Sequence, residues 1–340
     1  MKNDIYISCL KEELRKEEYN EDYLKICVEY ASRLLDNSLP VVFDTNHLAL
    51  LLNVKGNILS KHLILDDYYY REIKIPKKNG GMRDICMPSS SMKGIQRWIL
   101  DNILYQIPVS KASTAFCTDR SIVTNAKIHL ENECVINFDI KDFFPSIKFD
   151  EIFRIFYYYG YTKEISFVLA KLCTYKGVLP QGSPASPYLS NIICLKLDKR
   201  LQSIANKFDA NYTRYADDIT ISGEYRIKGC MDIVEKIIKD EGFFVNQNKT
   251  RISYKHQRQE VTGLLVNSQR VRVNKNYKRK IKQEIYYCLK YGVSDHLRHI
   301  ECDKSFFKEY LYGKVYFVKM VEPEIGNCLL EELDSINWEY

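Results

Sequence analysis

The stretch RYADDITIS, residues 214–222, places two acidic residues side by side between strand-forming residues. Tyrosine and isoleucine on either side favour strand, whereas the central Ala216, Asp217 and Asp218 do not, so the pattern predicts a β-hairpin with two acidic residues at its tip. Adjacent like charges repel, and a clustered carboxylate pair is usually neutralised by a metal ion or by a shared proton. The stretch therefore raises the question of which positive charge this tip binds.

Composition describes a globular protein with a sizeable core. The chain has 340 residues, of which 46% are hydrophobic and 28% charged, so one large domain or two to three small ones are expected. No run of 18 apolar residues occurs, and the polar N-terminus lacks the apolar segment of a signal peptide. Eleven cysteines without a CxxC pair favour reduced thiols in a cytoplasmic protein.

The positive charge is concentrated in one region. Residues 246–290 hold 12 Lys or Arg against two Glu, a local charge of +10, so the rest of the chain carries −4 of the total +6. Tyrosines are interleaved with these charges, which favours a polyanionic partner such as nucleic acid. A solvated helix face remains the alternative.

Apolar periodicity predicts alternating helices and strands, and therefore an α+β fold. Hairpins are predicted at 71–88, 211–222 and 260–274, an apolar strand at 133–140, and two short strands around a turn within 243–253. The predicted helices are 8–36 (one or two), 47–54, 91–104, 149–159, 163–174, Pro184 to 201, 231–242, and most of the chain after 274.

A third carboxylate has the right position to join the pair. Asp139 ends the apolar strand, and if that strand pairs with the hairpin, the side chains of Asp139, Asp217 and Asp218 converge. Three carboxylates suit two Mg²⁺ ions that clamp the attacking and leaving oxygens of a phosphoryl transfer. Taken singly, each Asp could instead be a cap or a solvated turn residue.

Several stretches resemble, in order, the motifs of reverse transcriptases. They are RDICMP (83–88), FDIKDFFPSI (138–147), LPQGSPASPYLSN (179–191), YADD (215–218) and GFFVNQNKT (242–250). Two more, TNAKIH (124–129) and VTG (261–263), match the NAxxH and VTG hallmarks of retron reverse transcriptases, the bacterial enzymes that make multicopy single-stranded DNA (msDNA). The resemblance covers about residues 70–275.

The resemblance implies a right-hand polymerase fold of fingers, palm and thumb. The expected division is an N-terminal helical extension at 1–68, fingers at 69–134, a palm at 135–265 with finger helices inserted at about 149–175, and a helical thumb at 266–340. The catalytic, metal-binding carboxylates would be Asp139, Asp217 and Asp218, with the Ile140 carbonyl as a further ligand. The cofactor would be two Mg²⁺ ions, for which Mn²⁺ can substitute.

The resemblance also implies residues that contact substrates. The Phe144 ring would exclude a ribose 2′-OH, Arg83 with Lys77 or Lys78 would hold the triphosphate, and Lys249 would protonate pyrophosphate. The nucleotide-binding residues would be Arg83, Phe144, Gln181, Gly182 and Lys249. The RNA or primer contacts would be Asn125, His129, Tyr215, Thr262, Gly263, Arg272 and Lys278, and the basic stretch 270–282 would approach the duplex backbone.

In that family, synthesis starts from the 2′-OH of a guanosine and copies a cognate structured non-coding RNA into msDNA. The implied partners are that RNA, its DNA product, dNTPs and a separate effector protein of an anti-phage defence system, with no membrane; trimming by a host RNase H stays open. The alternatives are another bacterial reverse transcriptase (group II intron-like or abortive-infection type), a different palm-fold enzyme such as a nucleotidyl cyclase, and a catalytically silent RNA-binding protein.

Overall fold

A computed structural model describes residues 2–76, 80–301 and 306–338. The chain divides into two compact units: unit 1 comprises residues 1–116, 140–200 and 237–244, and unit 2 comprises 117–139, 201–236 and 245–340. No helix among the described residues has both the length and the apolar character needed to cross a bilayer. The finer division into fingers, palm and thumb stays a prediction.

Helices predominate and strands are short. The helices are α1 (Lys2–Lys16), α2 (Glu21–Asp36), α3 (Thr45–Leu51), α4 (Gly56–Ile64), α5 (Asp66–Tyr69), α6 (Ser90–Asn102), α7 (Ile122–Lys127), α8 (Phe143–Ser146), α9 (Phe149–Tyr158), α10 (Lys163–Cys173), α11 (Ser186–Ile193), α12 (Leu195–Lys207), α13 (Met231–Asp240), α14 (Lys275–Tyr291), α15 (Val293–His299), α16 (Phe307–Val321) and α17 (Pro323–Asp334). The strands are β1 (Tyr70–Pro76), β2 (Met82–Pro88), β3 (Cys134–Asp139), β4 (Asn211–Tyr215), β5 (Asp218–Gly223), β6 (Arg251–Tyr254), β7 (Glu260–Val261) and β8 (Leu264–Leu265).

Unit 1 joins the N-terminal helices to a helical core and carries one hairpin. Strands β1 and β2 pair antiparallel from Tyr70 opposite Pro88 to Pro76 opposite Met82. The Tyr161 hydroxyl donates to the Pro40 carbonyl, and Arg33 Nη2 donates to the Gly160 carbonyl at 3.0 Å. These bonds attach the segment around α2 to the turn between α9 and α10.

Unit 2 is built on a four-stranded antiparallel sheet in the order β4-β5-β3-β6. One apolar core combines residues of the sheet, α7, the β7–β8 hairpin and the C-terminal helices, so these elements form one packed body. Its buried members are Ala126, Val135, Val261, Leu264, Val266, Val271, Val273, Ile281, Ile285, Cys288, Val293, Phe307, Leu311, Val315, Val318, Leu329, Leu333 and Ile336.

Two details of the predicted secondary structure were wrong. The helix expected from Pro184 begins at Ser186 and is interrupted at Cys194, which separates α11 from α12. The segment 243–253, all of which the structure describes, contributes to one strand, β6, and not to two. Its first half is instead a turn, because the Asn246 amide donates to the Asp139 carbonyl at 2.7 Å and the Lys249 amide donates to the Asn246 carbonyl.

We predict opposite effects for two helical glycines of unit 2. A Cβ at Gly326 in α17 would overlap the backbone of Lys319 in α16, whereas a Cβ at Gly313 in α16 meets no atom within 4 Å. Gly326→Ala should lower the free energy of unfolding by about 1–3 kcal/mol, the usual cost of overpacking. Gly313→Ala should raise it by about 0.5–1 kcal/mol, because alanine is the better helix former. Urea denaturation checks both, and equal effects would contradict this packing.

Candidate active site

Sheet register places two of the predicted carboxylates side by side in unit 2. Strands β3 and β5 are adjacent and antiparallel, and Asp139 lies directly opposite Asp218 in their pairing. Directly opposite residues of neighbouring strands point to the same face with their Cβ atoms about 5 Å apart. The expected convergence therefore occurs for Asp139 and Asp218, and Asp217 precedes Asp218 in the hairpin turn.

The hairpin turn is a two-residue loop with a strained backbone. Tyr215 pairs with Asp218, so Ala216 and Asp217 form the loop, and Ala216 has a positive φ of 57°. A left-handed backbone is unfavourable for a residue with a side chain, and such strain persists only where its surroundings enforce it. Here the fully buried Arg214 donates from Nη1 to the Ala216 carbonyl at 3.2 Å. A charged hydrogen bond thus helps to hold the loop conformation.

Asp139 is held from the segment that precedes β6. It is 7% exposed, and its carboxylate accepts from Lys249 Nζ at 2.7 Å and from Asn246 Nδ2 at 3.2 Å. Because the Asn246 backbone also donates to the Asp139 carbonyl, this segment fixes both the main chain and the side chain of Asp139. The Lys249 ammonium supplies one positive charge to the carboxylate cluster.

The electrostatic repulsion within the cluster acts on Asp218. Burial, together with the carboxylates of Asp217 and Asp139, raises the pKa of Asp218 to about 6, against the opposing effect of Lys249 and Arg251. The residue nevertheless keeps solvent-exposed surface. A cation from solution can therefore reach this side chain, and its binding would relieve the repulsion that raises the pKa.

The oxygen donors of this site suit a hard divalent cation, although the protein side chains alone do not complete its coordination. No group of three or more His, Cys, Asp or Glu side chains within the described residues is arranged to hold a metal ion. Asp139 lies opposite Asp218 in the sheet, and both supply oxygen donors; the raised pKa of Asp218 is consistent with a site that gains from a bound cation. Ions that keep several waters and use one or two carboxylates, as Mg²⁺ does, match such a set.

The residues expected to bind nucleotide lie in unit 1. Arg83 is an exposed residue of β2, opposite Ile75, while Lys77 and Lys78 lie outside the described residues. The Cys86 amide donates to the Gln181 carbonyl at 2.9 Å, so the PQG segment is bonded to the hairpin.

Gly182 is a glycine for a structural reason within unit 1. Its φ is +138°, and a Cβ would lie 2.7 Å from the Cys86 carbonyl oxygen. Close approach of the backbone to β2 therefore requires glycine at this position. Side chains are excluded at this position whether or not a nucleotide binds there.

The two adjacent phenylalanines after β3 have different surroundings. Phe143 is 4% exposed and packs on Phe243, with ring centroids 5.7 Å apart, so it belongs to the core of unit 1. Phe144 keeps part of its ring accessible and contacts Phe116 at 6.4 Å. Phe144 is thus the member of the pair that can meet a ligand. Ile140, whose carbonyl was expected to bind metal, is 2% exposed.

The NAxxH residues are interior, contrary to the expected RNA contact. Asn125 and His129 are 1% and 0% exposed. The two ring nitrogens of His129 bond to the hydroxyls of Ser222 and Thr213, each at 2.7 Å, and burial lowers the pKa of His129 to about 3. We therefore correct the expectation for these two residues, because RNA cannot touch side chains that have no accessible surface.

The other expected RNA contacts differ in accessibility. Thr262 and Gly263, with φ of 47° and 82°, form the tight β7–β8 turn, and Gly263 is exposed. Tyr215 is half-buried and Arg272 is exposed. Lys278 binds both carboxylate oxygens of Glu322 at 2.8 Å with a side chain only 17% exposed. Its expected contact with nucleic acid stays a prediction, and that contact would require the ion pair with Glu322 to open.

Sequence reasoning missed two residues that shape this site. Arg214 is a charge inside an otherwise uncharged strand, a pattern that signals a buried, hydrogen-bonded arginine. Asn246 binds Asp139 twice, but an asparagine in a turn gives no sequence signal that distinguishes it from its neighbour Asn248.

Comparison with known proteins shows the family of the chain. The family model described as Reverse transcriptase (RNA-dependent DNA polymerase) matches residues 75–278, more than half of the chain. Retron Ec86 reverse transcriptase of Escherichia coli is 33% identical over 312 residues, which cover 91% of this chain and 94% of that protein. The chain belongs to the retron reverse transcriptases.

Other similarities are weaker or shorter. Retron Mx162 reverse transcriptase of Myxococcus xanthus is 32% identical, over 79% of this chain and 61% of that protein. The solved telomerase from Candida albicans with a TWJ fragment of telomeric RNA aligns with a TM-score of 0.43 at 12% identity, over 78% of this chain and 62% of that chain.

Family membership confirms three predictions made from the sequence. This retron reverse transcriptase has the expected α+β polymerase fold, it is an RNA-directed DNA polymerase, and it acts on an RNA template. The roles assigned to single residues stay predictions, apart from the corrections above.

The raised pKa of Asp218 makes a prediction about pH and stability. A carboxyl group with a pKa of about 6 in the folded state and about 4 when unfolded binds its proton more tightly in the folded protein, so stability falls as pH rises from about 4 to 6. In chelator-treated protein, Asp218→Asn should raise the free energy of unfolding at pH 7 by about 1 kcal/mol, after allowance for solvent screening, and should change little at pH 4.

Asp209→Asn is the matched control, because Asp209 lies in the same unit with a side chain 92% exposed. Denaturation of both variants at the two pH values measures the effect. A loss of stability in Asp218→Asn at pH 7 would contradict the charge repulsion inferred here.

Proposed function

We propose that this reverse transcriptase copies a cognate structured non-coding RNA into msDNA, primed from a guanosine 2′-OH, and serves in an anti-phage defence system with a separate effector. Asp139, Asp217 and Asp218 are the proposed catalytic carboxylates. The observation that carries the catalytic part is the register of Asp139 with Asp218, combined with the raised pKa of Asp218. The RNA, the priming site and the defence role rest on membership of the retron group.

The proposed chemistry is a two-metal nucleotidyl transfer. Divalent ions at these carboxylates would activate the attacking hydroxyl and stabilise the pyrophosphate leaving group. Asp139 and Asp218 would hold them, with Asp217 and the Ile140 carbonyl as further ligands. Asn246 would keep the Asp139 carboxylate oriented through its 3.2 Å hydrogen bond.

Lys249 has a proposed role that requires movement. Its ammonium contacts Asp139 at 2.7 Å, whereas protonation of pyrophosphate requires it at the leaving group. The lysine side chain is 54% exposed and therefore has room to rotate. Its present position is consistent with a resident counter-charge for Asp139.

Unit 1 supplies the proposed nucleotide contacts. Arg83 on β2 would bind the triphosphate, and Gln181 and Gly182 would line the nucleotide site from a segment bonded to the same strand. The accessible ring of Phe144 would exclude a 2′-OH. Arg272, Tyr215 and the β7–β8 turn remain the proposed RNA or primer contacts.

The first experiment expresses the chain together with its own upstream DNA. Total nucleic acid is treated with RNase and examined for a discrete small single-stranded DNA. We expect a defined band that Asp217→Asn abolishes and that the matched control Asp209→Asn retains, with both variants folded and able to bind RNA. The loss should exceed 100-fold, as expected when a transition-state charge loses its ligand.

The other outcomes separate the competing functions. Polymerisation on an added RNA template and primer without a cellular band would contradict msDNA synthesis and indicate an activity like that of group II intron-like or abortive-infection enzymes. Folded protein that binds RNA and makes no DNA in either assay with Mg²⁺ would indicate a silent RNA-binding protein.

Sugar selection tests the role of Phe144. Phe144→Ala should raise incorporation of ribonucleotides relative to deoxynucleotides by about 10-fold or more, since the steric barrier to a 2′-OH is removed. Phe153→Ala is the control, because Phe153 is another half-buried ring of unit 1. Single-nucleotide incorporation gives kcat/KM for both sugars, and an unchanged ratio in Phe144→Ala would exclude this role.

A further inference from the structure

His129 bridges the two strands that carry the YADD loop. Its ring lies between Thr213 of β4 and Ser222 of β5 and bonds to both hydroxyls at 2.7 Å, and all three residues are at most 1% exposed. A neutral imidazole offers one donor and one acceptor, and a hydroxyl can serve as either, so both bonds form in either tautomer. The lowered pKa of His129 keeps the ring in this neutral form.

The bridge lies at the far end of the catalytic hairpin. Ser222 follows Asp218 by four residues, which is about 13 Å along a strand. Thr213 precedes the strained Ala216 by three residues on the other arm. The side-chain bridge adds to the backbone pairing of β4 with β5 and restricts the twist and separation of the two arms below the loop.

The same segment reaches the β7–β8 hairpin. Asn125 Nδ2 donates to Thr262 Oγ1 at 3.4 Å, and Thr262 Oγ1 donates to the Ile122 carbonyl at 3.4 Å. Asn125 and Ile122 belong to α7, and His129 follows that helix directly. The α7 segment, through its own backbone, thus connects the hydrogen bonds at the Thr262-Gly263 turn with those at the catalytic hairpin, all within unit 2.

A general core role does not account for this arrangement. An apolar residue at 129 would fill the same volume, whereas a buried imidazole is costly unless both nitrogens are bonded. Fully satisfied buried polar networks fix one arrangement of the groups that they join. The geometry therefore specifies the relative position of β4 and β5 more closely than apolar packing would.

We propose that His129 is a positioning residue for Asp217 and Asp218, and that Asn125 and Thr262 extend this brace to the β7–β8 turn. We call the set His129, Thr213, Ser222, Asn125 and Thr262 the His129 brace. The inference rests on the proposed catalytic role of the two aspartates. It replaces RNA contact as the function of the NAxxH residues.

The test compares variants that remove one or both bonds of the bridge. His129→Phe keeps the ring volume and removes both bonds, while Thr213→Val and Ser222→Ala each remove one with little change in volume. Leu311→Ala, in the apolar core of the same unit, controls for loss of stability alone. Single-nucleotide incorporation on an RNA template with a DNA primer is measured at a temperature where every variant is folded.

We expect kcat to fall about 10-fold or more in His129→Phe and less in the single-bond variants, because small misplacement of catalytic groups is costly. KM for dNTP and the Kd for RNA should stay within about twofold of the wild-type values, and the control should keep its kcat. Unchanged kcat in all three variants, or a loss confined to RNA affinity, would overturn the proposal.

Hydrogen exchange provides a readout that does not depend on activity. Amides of β4 and β5 should exchange faster in His129→Phe than in Leu311→Ala. If His129→Phe does not fold, Ser222→Ala takes its place in this comparison. If wild-type protein makes no DNA, the proposed catalytic role fails. Faster exchange would then still establish the brace, and unchanged exchange would refute it.

Discussion

Repulsion between carboxylates at one edge of the unit 2 sheet is the constraint on which this structure depends. Antiparallel pairing of β3 with β5 sets Asp139 opposite Asp218, and the hairpin adds Asp217 beside them. Lys249 neutralises only part of this negative charge, through its contact with Asp139, and the pKa of Asp218 remains raised. A site that is costly without cations and favourable with them suits an enzyme whose polyphosphate substrate arrives with a metal ion.

Holding the acidic loop requires support from several directions. The positive φ of Ala216 is unfavourable, and the buried Arg214 stabilises it by donating to the Ala216 carbonyl. Asn246 fixes Asp139 from the segment before β6, and His129, in the turn after α7, joins the arms of the hairpin. Arg214 acts from within the hairpin, whereas Asn246 and His129 act from other segments of unit 2, so local strain at the loop is balanced by both local and tertiary contacts.

Periodicity and turn chemistry predicted most elements and the register of Asp139 with Asp218, since these depend on local pattern and strand pairing. The strand β3 and the RYADD hairpin lie where the sequence placed them, whereas the hairpin expected over 260–274 turns early, at Thr262-Gly263. Burial was not predictable in the same way. Asn125, His129 and Lys278 are polar residues whose partners, Thr262, Ser222, Thr213 and Glu322, are 44 to 137 residues away in the sequence. The steric requirement for glycine at 182 was equally unpredictable, because the Cys86 carbonyl that imposes it lies on a strand far away in the sequence.

The bond between Asn125 and Thr262 gives the two retron hallmarks a common physical basis. NAxxH and VTG are separate in the sequence, yet the amide of one reaches the hydroxyl of the other inside unit 2. The β7–β8 turn exposes Gly263, while Asn125 is buried behind it. A nucleic acid bound at this turn would therefore affect the position of α7 and, through His129, the position of the strands that carry the carboxylates. In the proposed arrangement the hallmark residues affect catalysis through the position of the hairpin, and Thr262 is the member of the brace with the most accessible surface.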